Sequence, residues 1–165
     1  MKLYQFYLGI QMPHANLEMH DVQFAVAPTP QAAFADLKRI WAHTDARLHI
    51  DGWREINWVA GYDIVLQNQA HELPEKLFFV NVGAYQEGDL AELHAFDLFV
   101  ASDEQDAKRQ ALATLLPHAN QQHKDNLKDV DNILQLNQFH DWFVHLRPNP
   151  NGQAKAIEFQ GYLPI

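Results

Sequence analysis

The chain repeats itself at a constant spacing of 74 residues, and this repeat restricts its fold more than any other feature. Residues 3–9 align with residues 77–83 (83 − 9 = 74), and no gap is needed from position 3 to position 56. Ten of these 54 positions are identical between the copies: Leu3, Gly9, Glu18, His20, Val26, Ala27, Gln31, Ala33, His49 and Asp51. Because self-similarity at a fixed period marks duplicated structural units, we predict a tandem duplication.

Both copies carry the same order of hydrophobic patterns. In the first copy, alternating apolar residues predict strands over residues 4–10 and 18–27. A helix is then expected to begin at Thr29, which is followed by a proline of the kind favoured in a first helical turn. Two more strands are expected near residues 53–59 and 62–66. Each copy is therefore predicted to be a β-β-α-β-β unit.

These patterns predict an α+β fold in which the two tandem β-β-α-β-β repeats pack as a pseudo-symmetric pair, with mostly antiparallel sheet. The first repeat is expected to span residues 1–70 and the second residues 75–165. Matching the last strands of the two copies changes the offset to 80, which predicts an inserted connection around residues 136–140. A C-terminal hairpin is expected to complete the second repeat.

Composition excludes several classes of partner. The 165 residues are 47% hydrophobic, which favours a packed globular protein. The net charge is −9 and the chain has no block of Lys and Arg, so we predict no binding to nucleic acid or to an anionic membrane surface. No segment is apolar for long enough to span a membrane, and a cytoplasmic location is expected. The partners are unknown, and homo-oligomer formation is left open.

Covalent catalysis by serine or cysteine is disfavoured. The chain has no cysteine, and its single serine, Ser102, stands before a helical pattern with Gln105 three residues later. Serine followed by glutamine at that spacing is typical of a helix-capping box, so we interpret Ser102 as a helix cap. No Gly-x-Ser-x-Gly motif and no phosphate-binding glycine loop is present.

Three segments carry a resemblance to a known family. These are residues 20–26 (HDVQFAV), 49–55 (HIDGWRE) and 61–66 (GYDIVL). They resemble the bacterial family catalogued as domain of unknown function 1543, whose members carry one or two copies of the domain. The second copy departs from this pattern, because Ala95 stands where the first copy has Asp21. The resemblance implies duplication and unit boundaries, and it transfers no catalytic residue.

Histidines and carboxylates recur together in the two copies. The recurring residues are Glu18, His20, His49 and Asp51 in the first copy, and Glu92, His94, His123 and Asp125 in the second. Residues two apart in a strand point to the same face, so each His is expected to lie beside its carboxylate. Three interpretations compete: a buried hydrogen-bonded pair that stabilises the fold, a divalent metal site, and a general acid/base pair.

Two classes of function follow from these interpretations. The first is a non-catalytic module, formed from the duplicated domain, that binds a small molecule or a protein. The alternative is a metal-dependent or His/carboxylate acid-base enzyme that uses the duplicated Glu/His/Asp set. Whether the protein is an enzyme is left open by the sequence. No organic cofactor is predicted, and a divalent metal is expected only under the alternative.

Overall fold

The computed structural model describes residues 1–70, 74–117 and 128–165. The first half contains β1 (Lys2–Gln11), β2 (Met19–Ala27), a 3-10 turn (Pro30–Ala33), α1 (Phe34–Ile40), β3 (Arg47–Glu55), β4 (Trp58–Val59) and β5 (Tyr62–Gln67). The second half contains β6 (Lys76–Ala84), β7 (Leu93–Ala101), α2 (Glu104–Thr114), β8 (Lys128–Gln135), β9 (Gln138–Phe139), β10 (Trp142–Pro148) and β11 (Phe159–Pro164). The α+β class with mostly antiparallel sheets is confirmed. The strand expected near residues 53–59 is divided between β3, which begins at Arg47, and the two-residue β4, and β9 is a short strand that the sequence pattern does not predict.

The strands of the described residues form three sheets: one of first-half strands joined by β11, one of second-half strands alone, and one of hairpins from both halves. The first sheet has the order β11-β3-β1-β2, and the second sheet has the order β7-β6-β8. The shared sheet has the order β4-β5-β10-β9, so the hairpins of the two halves meet where β5 pairs with β10. The halves are therefore joined by backbone hydrogen bonds.

The alternation of side chains along β1 places apolar groups on both faces of the first sheet. Tyr4, Phe6 and Leu8 are buried on one face, in a core that includes Leu37 of α1. The other face contributes Leu3 to a second core shared with the second and shared sheets. There the rings of Phe24 and Phe79 contact each other with centroids 5.2 Å apart. The two sheets thus pack face to face, with one helix on each outer side.

The helix cap of α2 differs from the one that the sequence predicts. Asp103, and not Ser102, is the N-cap: the backbone N–H of Asp106 donates to Asp103 Oδ1 at 2.8 Å. The Asp106 carboxylate in turn accepts from the backbone N–H of Ser102 at 3.3 Å. A carboxylate can replace a hydroxyl as the N-cap acceptor, so the cap lies one residue later than expected.

Both helices are short. In the described part of the chain, neither has the length and hydropathy that a membrane-spanning helix requires.

The strand registers correct the predicted position of the insertion. Gly9 pairs with His49, and its repeat partner Gly83 pairs with Asp129, so the offset is already 80 at β8 (129 − 49 = 80). The additional residues of the second half therefore lie between α2 and β8, and the prediction of an insertion around residues 136–140 is wrong. The recurrence of a His-x-Asp triplet at residues 123–125 favoured the ungapped alignment, although β8 begins only at Lys128.

The predicted C-terminal hairpin is also wrong. β11 pairs with β3 of the first half, where Phe159 lies opposite Trp53, and does not pair with β10. β11 thereby covers an edge of the first sheet that would otherwise present unpaired backbone N–H and C=O groups. The repeat boundaries at residues 70 and 75 stay a prediction.

Candidate functional site

Four of the predicted residues meet on the inner face of the first sheet, which faces the second sheet. We call Glu18, His20, His49 and Asp51 the first cluster. His20 Nε2 lies 3.3 Å from Asp51 Oδ2 and 3.6 Å from Glu18 Oε2. His49 Nε2 lies 3.1 Å from Asp51 Oδ1 and 3.4 Å from Glu18 Oε1. Each carboxylate therefore bridges both imidazoles.

Two local features of the backbone bring these side chains together. The register between β1 and β3 shifts between Tyr7 and Leu8, which leaves Asp51 as the additional residue of a β-bulge. Asp51 lies two residues after His49 and so points to the same face of β3, and as the additional residue of the bulge it lies opposite no residue of β1. The second feature is Gly9 on the intervening strand β1, where a Cβ atom would overlap the imidazole of His49. The glycine lets His49 lie across β1 towards His20 on β2.

Aromatic rings enclose the first cluster on two sides. Tyr7 stacks on the His20 ring at a centroid distance of 5.1 Å, and Tyr162 of β11 lies 4.2 Å from the His49 ring. The side chain of His49 is only 5% exposed, whereas those of His20 and Glu18 are 38% and 41% exposed. Burial, and then the charge of Asp51, raises the pKa of Tyr7, so its hydroxyl remains protonated at neutral pH. The cluster therefore has one buried histidine, His49, and an accessible rim formed by His20 and Glu18.

A reduced version of this arrangement occurs in the second half. We call Glu92, His94 and Asp131 the second cluster: His94 Nε2 lies 3.6 Å from Glu92 Oε2, and its Nδ1 lies 3.2 Å from Asp131 Oδ2. Asp131 stands in the bulge position of Asp51, and the Asn81 amide donates to it at 3.2 Å. Asp129 takes the place of His49 and accepts from Lys108.

The two remaining sequence candidates, His123 and Asp125, lie outside the described residues. The strand register makes Asp129 and Asp131 the counterparts of His49 and Asp51.

In the first cluster the two carboxylates are shared between the two imidazoles. Each carboxylate directs one oxygen to His20 and the other to His49. Among residues 1–70, 74–117 and 128–165, no group of three or more His, Asp or Glu side chains has the arrangement of a metal site.

A cavity of about 610 Å³ opens beside the first cluster, and we call it the aromatic cavity. Its lining residues include Tyr7, Asp51, Trp53, Phe96 and Phe159. The rings of Trp53 and Phe159 stack on each other with centroids 4.4 Å apart and pack in the outer core that contains Phe6. Both halves contribute, since Phe96 belongs to β7 of the second half. Volumes of about 300–1,000 Å³ with apolar walls and few polar groups are typical of small-molecule sites.

A second cavity, of about 510 Å³, lies on the other side of Tyr7 and Phe96 between the two sheets. We call it the inter-sheet cavity. It is lined by His20 of the first cluster and by His94 of the second. The two clusters therefore face one cleft, which the stacked pair of Tyr7 and Phe96 divides.

Sequence reasoning missed most of the residues that form these walls. Tyr7 and Phe96 belong to regularly alternating strands, and Phe159 comes from β11, whose pairing with β3 no local pattern reveals. Gly9 and Gly83 could have been found, because they are identical residues at the repeat spacing. A strand glycine often marks the close approach of another group.

Comparison with known proteins places the chain in a family. The model described as Domain of Unknown Function (DUF1543) matches residues 15–66 and 89–137, which together exceed half of the chain. The chain belongs to this family. Two matched regions agree with a duplicated DUF1543 domain, and each contains one of the two His/carboxylate clusters. β11 lies outside both regions.

A solved structure resembles the whole chain. It is the crystal structure of a protein Il1583 from Idiomarina loihiensis, with 28% sequence identity and a TM-score of 0.73. The alignment covers 99% of this chain and 97% of that one, so the DUF1543 chain is similar to it over nearly its full length. No curated protein matches the sequence.

Proposed function

We propose that this DUF1543 protein binds a small organic molecule in the aromatic cavity. The observation that carries the proposal is that aromatic residues of both halves and Asp51 of the first cluster line one cleft. Large rings provide contact area at low entropic cost, and a few polar groups fix the orientation of a ligand. This function is the non-catalytic alternative of the two that the sequence leaves open.

The duplication supports the proposal because neither half contains the whole cavity. Phe96 and Asp97 come from β7, while Tyr7, Asp51 and Trp53 come from the first half. The Arg54 guanidinium lies 3.7 Å from the Asp97 carboxylate, so an ion pair connects the halves at the rim. A binding site at the junction of the two units would give their packing against each other a functional role.

A thermal-shift screen tests the proposal. A ligand that binds only the native state raises the unfolding temperature by mass action. We expect compounds that contain one or two rings to stabilise the protein in a concentration-dependent manner. Phe96→Ala should abolish this shift because it removes a wall of the cavity. Phe139→Ala is the matched control, since Phe139 packs in the shared core and does not line the cavity. Equal ligand shifts in both variants would place binding elsewhere.

Proton transfer is the second candidate function, and the accessible rim of the first cluster favours it. His20 is partly exposed and has Asp51 3.3 Å from its Nε2, which is the arrangement of a His/carboxylate acid-base pair. The test is incubation of a stabilising ligand with the protein in D₂O, followed by mass spectrometry of the ligand. Deuterium on a carbon atom, lost in His20→Gln while the thermal shift is retained, would support catalysis; no incorporation leaves the binding function alone.

A further inference from the structure

The first cluster has fewer hydrogen-bond donors than acceptors. Four carboxylate oxygens, two from Glu18 and two from Asp51, each face an Nε2 atom within 3.1–3.6 Å. An imidazole Nε2 carries at most one proton, whether the ring is neutral or charged. At most two of the four contacts can therefore be N–H···O hydrogen bonds. The two carboxylates retain accepting capacity that the cluster itself does not fill.

Two carboxylates, Asp51 and Asp97, and one guanidinium, that of Arg54, line the aromatic cavity. In the part of the chain that the structure describes, no Lys or Arg pairs with Glu18 or Asp51. Arg54, the cation that lines the cavity, is already engaged: its Nε donates to Gln5 Oε1 at 2.8 Å, and its guanidinium faces Asp97. The side of the cavity at Asp51 is therefore electronegative. The net charge of −9 on the whole chain adds to this attraction for cations.

The walls suit a cation that carries an apolar body. The faces of Trp and Tyr rings attract ammonium groups placed within about 6 Å of the ring centroid. Tyr7 and Asp51 both line the cavity. The rings of Tyr7 and Phe96, with centroids 5.8 Å apart, offer an apolar surface for the remainder of a ligand.

We infer, resting on the proposed function, that the ligand is an organic cation: an ammonium group on an aromatic or other flat apolar body. The ammonium group donates to the free accepting sites of Asp51, and the ring system contacts Tyr7 and Phe96. A neutral molecule of the same shape would lose the charge-assisted hydrogen bond. An anion would face the carboxylates of the first cluster.

Three probes of one shape test the charge of the ligand: tryptamine, tryptophol and indole-3-acetate, titrated into the full chain by calorimetry at pH 7. We expect tryptamine to bind at least about tenfold more tightly than tryptophol, as a charge-assisted hydrogen bond provides. Indole-3-acetate should show no binding. Asp51→Asn should reduce tryptamine affinity to that of tryptophol. Asp131→Asn, the equivalent change in the second cluster, should leave it unchanged, because Asp131 does not line the aromatic cavity.

The outcomes separate this inference from the proposed function. Equal affinities for the three probes, with loss of all binding in Phe96→Ala, would overturn the cation and leave the small-molecule site intact. The cation is also overturned, and the small-molecule site also stays intact, if none of the probes binds while a neutral or anionic compound from the thermal-shift screen does. If no compound binds at all, both proposals fail. A last outcome is that Zn²⁺ alone displaces tryptamine and that His49→Ala loses Zn²⁺ binding. This would assign the spare acceptors to a metal ion and overturn the inference.

Discussion

Gly9 lies directly beneath the imidazole of His49, on the strand that separates the two histidines of the first cluster. The ring is buried and contacts Glu18 and Asp51, and a Cβ atom added at Gly9 would overlap it. Gly83 holds the equivalent place in the second half, where an added Cβ atom would lie 2.5 Å from Glu92 Oε1 and 2.8 Å from Asp131 Oδ2. Those side chains are about one-third exposed and can rotate towards solvent.

Gly9→Ala should therefore destabilise the protein by about 1–3 kcal/mol, the usual cost of overpacking. Gly83→Ala should cost less, because only the ends of flexible side chains must move. Urea unfolding of the two variants and the parent measures both free energies. A loss for Gly83→Ala equal to or above that for Gly9→Ala would contradict this account of the cluster.

Residue-level prediction from the sequence succeeded where the signal is local. The two-residue period placed His20 beside Glu18 and His49 beside Asp51, and the structure brings these four side chains together. The assignment of His123 as the counterpart of His49 failed, since an identical residue at the repeat spacing does not reveal where additional residues enter. Only the hydrogen-bond register of β8 against β6 shows where the additional residues enter.

At the scale of elements, the start of α2 shows how a helix boundary depends on one side chain. The Asp103 carboxylate accepts the N–H of Asp106, one of the first donors that a helix leaves unpaired. Asp103→Ala should lower stability by about 1 kcal/mol, or the unfolding temperature by about 2–4 °C. Ser102→Ala is the control and should unfold like the parent. The opposite ranking in a calorimetric scan would restore Ser102 as the cap.

The chain between β10 and β11 is tied to β3 by an ionic contact. Glu55 accepts from Lys155 at 2.6 Å and from Lys2 at 2.9 Å. Burial acts to raise the pKa of Glu55, but the hydrogen bonds from the two lysines outweigh it and hold the pKa below its ordinary value. The native state therefore binds this proton less readily than the unfolded chain does. The resulting stabilisation is present above the unfolded-state pKa and is lost as the pH falls through the folded-state pKa.

Glu55→Gln should accordingly destabilise the protein at pH 7 by about 1 kcal/mol, a modest value because both lysines are half-exposed. At pH 3 the difference from the parent should shrink, since the parent also loses the charge. Denaturant unfolding at the two pH values measures this. Glu87→Gln, on an exposed loop, provides the control and should leave both values unchanged. A difference that is the same at pH 3 and pH 7 would remove the ionic explanation.

The types of the elements could mostly be predicted from the sequence, but the pairing of the strands could not. Alternation of apolar residues marked β1, β2, β5 and β10, because each strand buries one or both faces. The same pattern gives no information about which strand lies alongside. β11 resembles the second strand of a hairpin in sequence, yet it crosses to the other half of the molecule.

For the whole molecule, the shared sheet and the core between the two sheets make the halves interdependent. Residues 1–70 expressed alone would expose Leu3 and Phe24 on the inner face and leave β5 without β10. An exposed apolar face and an unpaired edge both favour aggregation over a stable monomer. We expect this fragment to show no cooperative unfolding by circular dichroism. A soluble monomer as stable as the full chain would show that each half is an independent domain.

The pairing of β11 with β3 has a consequence for the order in which the molecule assembles. The members of the first cluster lie within 33 residues of one another (51 − 18 = 33), whereas Phe159 must find Trp53 across 106 residues (159 − 53 = 106). Closing the longer loop costs more entropy, and contacts of high sequence separation form slowly. We therefore expect the histidines to meet during folding before β11 completes the cavity. A chain stopped between these two events would have the first cluster but not the complete aromatic cavity.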